Sequence, residues 1–309
     1  MVDSKQSWKA WLYLSPAIVL LLVFTAWPIV NTIRMAFLER YGIQSALMPG
    51  AEFNIGLENF YYVLFAEGTD FLTCLGNTLL LCVLTVPLST ILALLIAVAL
   101  NSIKPLQKFL QTIFFLPYVT NSIAIGMVFA AMFNMVAGDS VGIVNNILGL
   151  FGIDPINWIN QGSSYTSNII VLVIYLVWNA LPFKILVLLG GLQSVNKQYY
   201  DAAKIDGTSR TRTFTRITVP LLSPMITYVV ITSFIGGFKE YSSIVGIFGE
   251  KMGPPASMGA PLNTIVGYIY NALGSDSEGL ASAAAIILFI IIFIVTMLNM
   301  AISKKTTHY

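Results

Sequence analysis

An all-α chain that threads a lipid bilayer six times is what this sequence predicts, and three observations carry the prediction. Of its 309 residues 57% are hydrophobic and only 10% charged, well under the ~25% charged of an average soluble domain. The charges leave six long stretches free, and about 20 uncharged residues at roughly 1.5 Å each suffice to cross the hydrocarbon of a bilayer as a helix. Lysine and arginine crowd into alternate connections between those stretches, as they do in the inner loops of membrane proteins. The formal net charge of +2 offers no general attraction to nucleic acid. Cys74 and Cys82 share one apolar run and read as packing residues, without disulfide or metal-ligand spacing.

In chain order the uncharged stretches are Ala10–Ile33, Phe71–Ile103, Phe109–Gly138, Pro155–Phe183, Ile217–Phe238 and Gly279–Ser303, one membrane helix each. The first follows Lys5 and Lys9, but its apolar part is too long for a signal peptide and no small-residue cleavage site follows, so it is expected to stay as an anchor. Residues 1–70 then form that anchor and an external loop, and residues 71–309 a core membrane domain. On one side fall 11 of the 16 basic residues, namely Lys5, Lys9, Lys104, Lys108, Lys197, Lys204, Arg210, Arg212, Arg216, Lys304 and Lys305. Only Asp3, Asp201 and Asp206 of the 14 acids join them, so that side is cytoplasmic and holds both termini. The segment from Glu39 to Asp70 and the loop holding Asp139 and Asp154 are external. Within that loop Asn145–Trp158 is amphipathic and is expected to lie on the outer surface as a short helix.

The inner connection between spans four and five carries the most specific pattern. It reads Gln198-Tyr199-Tyr200-Asp201-Ala202-Ala203-Lys204-Ile205-Asp206-Gly207-Thr208, then Phe214-Thr215-Arg216-Ile217, and reaches Pro220 and Pro224. A short helix is expected to begin at Asp201, with the acid in its first turn and Gly207 as its stop. A second helix then leads to the prolines of span five, and the two form a protrusion on the inner face. The pattern closely resembles the EAA motif of ABC importer permeases, with Asp201 at the usual Glu and Thr208 at the usual Ala. Gly56-Leu57-Glu58-Asn59-Phe60, Phe115-Leu116-Pro117 and Trp178 extend the resemblance over most of the chain, which is most similar to carbohydrate permeases of the maltose type. The resemblance implies the transmembrane domain of a type I ABC importer in a bacterial or archaeal cell membrane, paired with a second, similar permease. It implies two ATPase subunits in the assembly, with residues 198–224 docking in an ATPase cleft through Asp201, Ala202, Ala203, Asp206 and Gly207, and an extracellular binding protein that delivers the solute. The chain lacks a Walker A pattern and any nucleophilic or metal-ligating constellation, and its one histidine, His308, is in the tail. No catalysis or cofactor is therefore expected on it, and ATP and magnesium are expected on the ATPase partners.

Polar side chains within a span are costly unless they face a cavity or the bundle interior. Ser233, Gly237 and Glu240 are spaced i, i+4, i+7, with Tyr241 beside them; span four offers Asn179 and Phe183, and span three Asn121 and Ser122. Hydroxyls need amide, hydroxyl or carboxylate partners, while the ring faces of a sugar pack on aromatic side chains. Ser122, Phe183, Ser233, Gly237 and Glu240 also resemble positions along the sugar pathway of maltose-type permeases, although that pattern has amides where Gly237 and Glu240 stand. Ser233 and Gly237 serve equally well for close helix packing. Lys184 and Lys239 either pair structurally with Glu240 or meet the solute, and an anion at Lys184 leaves glycerol phosphate or another polyol-like solute as the alternative to an oligosaccharide. An ion-coupled secondary transporter, the reading from another class, would need repeats and clustered membrane acids, which the sequence does not show.

Overall fold

The computed structural model describes residues 7–103, 107–135, 142–255 and 259–306. Asp3, Lys5, Lys104, Gly138, Asp139 and His308 lie outside them. The helices in order are α1 (Ser7–Leu21), α2 (Trp27–Phe37), α3 (Ile43–Ala46), α4 (Glu58–Phe65), α5 (Phe71–Ser102), α6 (Gln107–Val119), α7 (Ser122–Phe133) and α8 (Ile143–Gly149). They continue as α9 (Tyr165–Ser194), α10 (Lys197–Ile205), α11 (Arg210–Thr213), α12 (Val219–Leu221), α13 (Ser223–Phe238), α14 (Ser242–Phe248), α15 (Ile265–Leu273) and α16 (Glu278–Thr306). One isolated bridge, Leu38 to Ile55, is the extended pairing among the described residues. Four long apolar helices, or six when each of two bent pairs counts as one span, are able to cross a membrane.

Prolines shape several of these helices. A π-helical turn at Leu22–Ala26 joins α1 to α2 immediately before Pro28, and a second at Phe214–Thr218 joins α11 to α12 before Pro220. Proline has no N–H for the carbonyl four residues back and its ring crowds that carbonyl; a widened turn absorbs the misfit. Span three is not the single helix expected. Its two parts, Phe109–Val119 and Ser122–Phe133, meet at 99°, because Thr120 turns back on the Pro117 carbonyl and Asn121 caps a new helix, accepting from the N–H of Ile123 at 2.9 Å. Span four also differs. Its helix is Tyr165–Ser194, displaced from Pro155–Phe183, since Ser164 caps the start and Lys184, which ended the uncharged count, sits inside the helix.

The helix expected on the outer surface is shorter than the amphipathic stretch suggested. α8 ends at Gly149, and the chain folds back so that Asn145 bonds the backbone of Ile156 and accepts from the Trp158 indole at 2.9 Å. The amide that looked like part of a polar face is instead buried and ties a loop.

The described residues fall into two compact units. The first runs up to Leu72 and includes Tyr268–Phe289. In it the buried Asn59 amide donates to the carbonyls of Ala36 and Leu38 at 3.0 and 2.8 Å. The Asp276 carboxylate accepts from the N–H of Gln44 at 2.7 Å and from the N–H and hydroxyl of Ser45 at 3.0 and 2.7 Å, and Glu278 accepts from the N–H of Ile43 at 2.9 Å. These acids meet the otherwise unpaired donors that open α3.

The second unit comprises Thr73–Gly267 and the residues from Ile290 onward. Its apolar interior has two parts. One gathers Leu81 of α5, Phe133 of α7, Leu172, Tyr175 and Leu176 of α9, and Ile244 and Ile247 of α14. The other gathers Ala93, Ala97 and Leu100 of α5 with Ile185, Leu188, Leu189 and Leu192 of α9 and Val229 of α13. Along both α5 and α9 a polar stretch separates the two, holding Thr85, Ser89, Thr90 and Lys184, all buried. Cys74 and Cys82 are buried and not joined in a disulfide, in keeping with packing roles.

Candidate functional site

The polar stretch opens into a cavity of about 230 Å³ between α5, α9 and α13, lined among others by Cys82, Thr85, Ser89, Asn179, Lys184, Ser233, Gly237 and Glu240. A neighbouring cavity of about 210 Å³ shares Asn179, Ala180, Lys184 and Ser233 with it and adds Tyr118, Phe183 and Thr232. Tyr118 and Phe183 stack there with ring centroids 6.0 Å apart. Five of the residues expected along a pathway, Asn179, Phe183, Ser233, Gly237 and Glu240, thus share two connected spaces. α5 supplies Thr85 and Ser89, which the sequence reading passed over. Their signal was present as hydroxyls at i and i+4 beside Pro87 in an otherwise apolar run.

Three expected residues are elsewhere. Asn121 is the cap of α7, the Ser122 carbonyl accepts from the Tyr175 hydroxyl at 2.7 Å, and Tyr241 packs against the apolar cluster around Tyr175. The 99° bend in span three turns the first two into parts of a helix start, where a straight helix would have left their side chains on a face.

Lys184 is only 2% exposed. Its ammonium donates to Ser89 Oγ at 2.7 Å, Thr90 Oγ1 at 3.0 Å and the Val86 carbonyl at 3.3 Å. Ser89 donates onward to the Thr85 carbonyl, and Thr90 to the Val86 carbonyl at 2.7 Å. The expected pairing of Glu240 with Lys184 or Lys239 is not formed: among the described residues the ion pairs are Arg40–Glu58 and Lys204–Asp201. Glu240 lies just beyond the end of α13, so it is not on that helix's face; one carboxylate oxygen accepts from the Ser243 N–H at 3.0 Å and so serves the start of α14. At Gly237 an added Cβ would come within 2.8 Å of Cys82 Sγ, so a larger residue there requires the Cys82 thiol or the helix spacing to shift.

On the connection between spans four and five, α10 begins at Lys197, capped by Asn196, whose side chain accepts from the Gln198 N–H at 3.0 Å. Asp201 is therefore past the first turn, and its expected interaction with the helix N-terminus gives way to a pair with Lys204 at 3.4 Å. Both partners are exposed, so that pair contributes little to stability. Gly207 does stop the helix. Its φ is +66°, and the N–H groups of Gly207 and Thr208 return to the carbonyls of Lys204 and Ala203 at 3.1 and 2.9 Å, the pattern that a left-handed residue allows. Ala203 is buried, whereas Asp201, Ala202 and Asp206 are exposed and Ile205 is 87% exposed.

The family of binding-protein-dependent transport system inner membrane components matches residues 86–308, which takes in this connection and, apart from Cys82 and Thr85, the cavity residues named above. The chain is 30% identical over 295 residues to an arabinooligosaccharide transport system permease protein of Bacillus subtilis, covering 95% of this chain and 88% of that one. It is also 30% identical to a lactose transport system permease protein of Rhizobium radiobacter, covering 94% and 91%. A crystallised bacterial alginate ABC transporter, in complex with a periplasmic protein bound to an alginate pentasaccharide, contains a chain of the same fold, with a TM-score of 0.76, 25% identity and coverage of 99% and 97%. The helical spans, the glycine-stopped α10 and the long match together make this chain a member of the family of binding-protein-dependent ABC transport permeases.

Proposed function

We propose that the chain forms half of a translocation pathway for an oligosaccharide, together with a second permease, two ATPase subunits and an extracellular binding protein. The observation that carries the carbohydrate reading is the membrane cavity in which Asn179, Ser233 and Glu240 stand near the Tyr118–Phe183 stack, polar partners for hydroxyls beside aromatic faces for rings. The names of the relatives support it.

The inner helix pair is the drive shaft of this proposal. Asp201, Ala202, Ala203, Asp206 and Gly207 shape a protrusion whose exposed Ile205 would fill an apolar recess on an ATPase, and ATP and magnesium act there. Closure of the ATPase pair would push α10 and, through α11 and α12, the bent junction with α13. The basic side of the chain, with both termini, then faces the cytoplasm.

The test is reconstitution. The purified chain alone should show negligible ATP hydrolysis, and proteoliposomes holding it with the second permease, the ATPases and a sugar-loaded binding protein should show sugar-stimulated hydrolysis. Robust hydrolysis by the chain alone would contradict the division of labour. Stimulation by a loaded binding protein for a solute other than a sugar would contradict the carbohydrate assignment.

A further inference from the structure

We propose that the part of the pathway supplied by this chain selects neutral, hydroxyl-rich solutes over carboxylated or phosphorylated ones, an inference that rests on the carbohydrate reading above. The basis is which hydrogen-bonding atoms around the cavity remain unengaged. An ammonium has three protons, and those of Lys184 meet Ser89, Thr90 and the Val86 carbonyl. The obvious anion hook is therefore already occupied.

The hydroxyls are engaged in the same sense. A hydroxyl bonded to a carbonyl must be the donor. Thr85 donates to the Leu81 carbonyl at 2.7 Å, Ser89 to that of Thr85, Thr232 to that of Tyr228 at 2.8 Å and Ser233 to that of Val229 at 2.5 Å. What these side chains still offer the cavity is lone pairs. Glu240 adds a carboxylate oxygen that the Ser243 N–H does not use. The Asn179 side chain forms no hydrogen bond among the described residues and presents both a donor and an acceptor, and the donors that Tyr118 and Cys82 contribute are neutral.

A sugar hydroxyl suits that set, since it donates to Glu240 or a serine lone pair and accepts from Asn179. A carboxylate or phosphate brings acceptors alone. The opposite charges of Lys184 and Glu240 largely offset each other at a distance, so the choice falls to short-range partners, and an anion here would find no free cation among the residues lining the two cavities, of which Lys239 is not one, while facing Glu240. Desolvating it on those terms is unfavourable.

The test uses the assembled transporter in nanodiscs without the binding protein, so that this protein's own selectivity does not mask the pathway's. Equilibrium binding is measured for neutral pentose and hexose oligosaccharides and for the uronate oligosaccharides of matching length. At least one neutral probe should bind about tenfold or more tightly than its uronate counterpart. Glu240→Gln should shrink that ratio several-fold, and Lys184→Met, which leaves Glu240 without its opposite charge, should widen it. A uronate bound more tightly than its neutral counterpart, and weakened by Lys184→Met, would overturn the selectivity while sparing the carbohydrate reading. Binding of glycerol phosphate with no sugar bound would overturn both. The wild-type ratio stands as a test by itself should either variant fail to assemble.

Discussion

A lysine inside a bilayer ordinarily calls for a carboxylate, yet Lys184 is met by two hydroxyls and a carbonyl of α5. Those hydroxyls keep their own carbonyl acceptors when the lysine is removed, whereas the ammonium has no substitute when the hydroxyls go. Lys184→Met should therefore change thermal stability in detergent by about 1 kcal/mol or less, and Ser89→Ala combined with Thr90→Val should lower it by about 2 to 4 kcal/mol. Equal losses from both would mean that the network is not what holds α9 to α5. The sequence marked Lys184 as a buried charge that either pairs with Glu240 or meets the solute, and the pair is not formed. Its actual partners escaped because charge is visible in a sequence, while a serine hydroxyl that completes an ammonium's shell looks like any other small residue of an apolar helix.

Among the elements, the glycine stop of α10 was the most legible, since a glycine closing a helical stretch commonly takes the positive φ that ends it. Gly207→Pro removes the N–H bonded to Lys204 and forces the opposite sign of φ, so sugar-stimulated ATPase activity should be lost while membrane insertion persists. Ile205→Asp should do the same with the helix intact, and Asp201→Glu should be nearly silent; normal coupling in Ile205→Asp would remove that residue from the docking surface. The bends were less legible because hydropathy reports length and not direction: the stretch from Phe109 reads as one span, and only the Thr120-Asn121 cap chemistry betrays the 99° turn. Helix α3 offers a pH test. The Ser45 hydroxyl, followed by the N–H of Gln44, holds the Asp276 carboxyl below its ordinary value. A lowered folded value means that this anchoring is complete above the unfolded pKa of ~3.9 and is lost as pH falls through the folded value. Amide exchange at Gln44 and Ser45 should stay slow from neutral pH down to mild acid and quicken only below that, whereas Asp276→Asn should quicken it already at neutral pH.

For the whole molecule, topology is checked by single cysteines at Thr208 and Gly68 in a background with Cys74 and Cys82 replaced by alanine. An impermeant maleimide should label the first from the cytoplasmic side and the second from outside, and the reverse pattern would invert the orientation proposed here. The order of synthesis gives the Lys184 network a further meaning. α5 emerges from the ribosome before α9, so by the time the lysine reaches the translocon its hydroxyl acceptors already stand in the bilayer. A lysine near the centre of a nascent span opposes insertion by about 2.5–3.5 kcal/mol, and a preceding helix able to receive it would relieve part of that. α9 followed by a glycosylation reporter should insert less completely alone than behind α5, and the advantage should vanish when Ser89 and Thr90 are made apolar. The chemistry that keeps a cation in the finished cavity would then also be what lets the ribosome put it there.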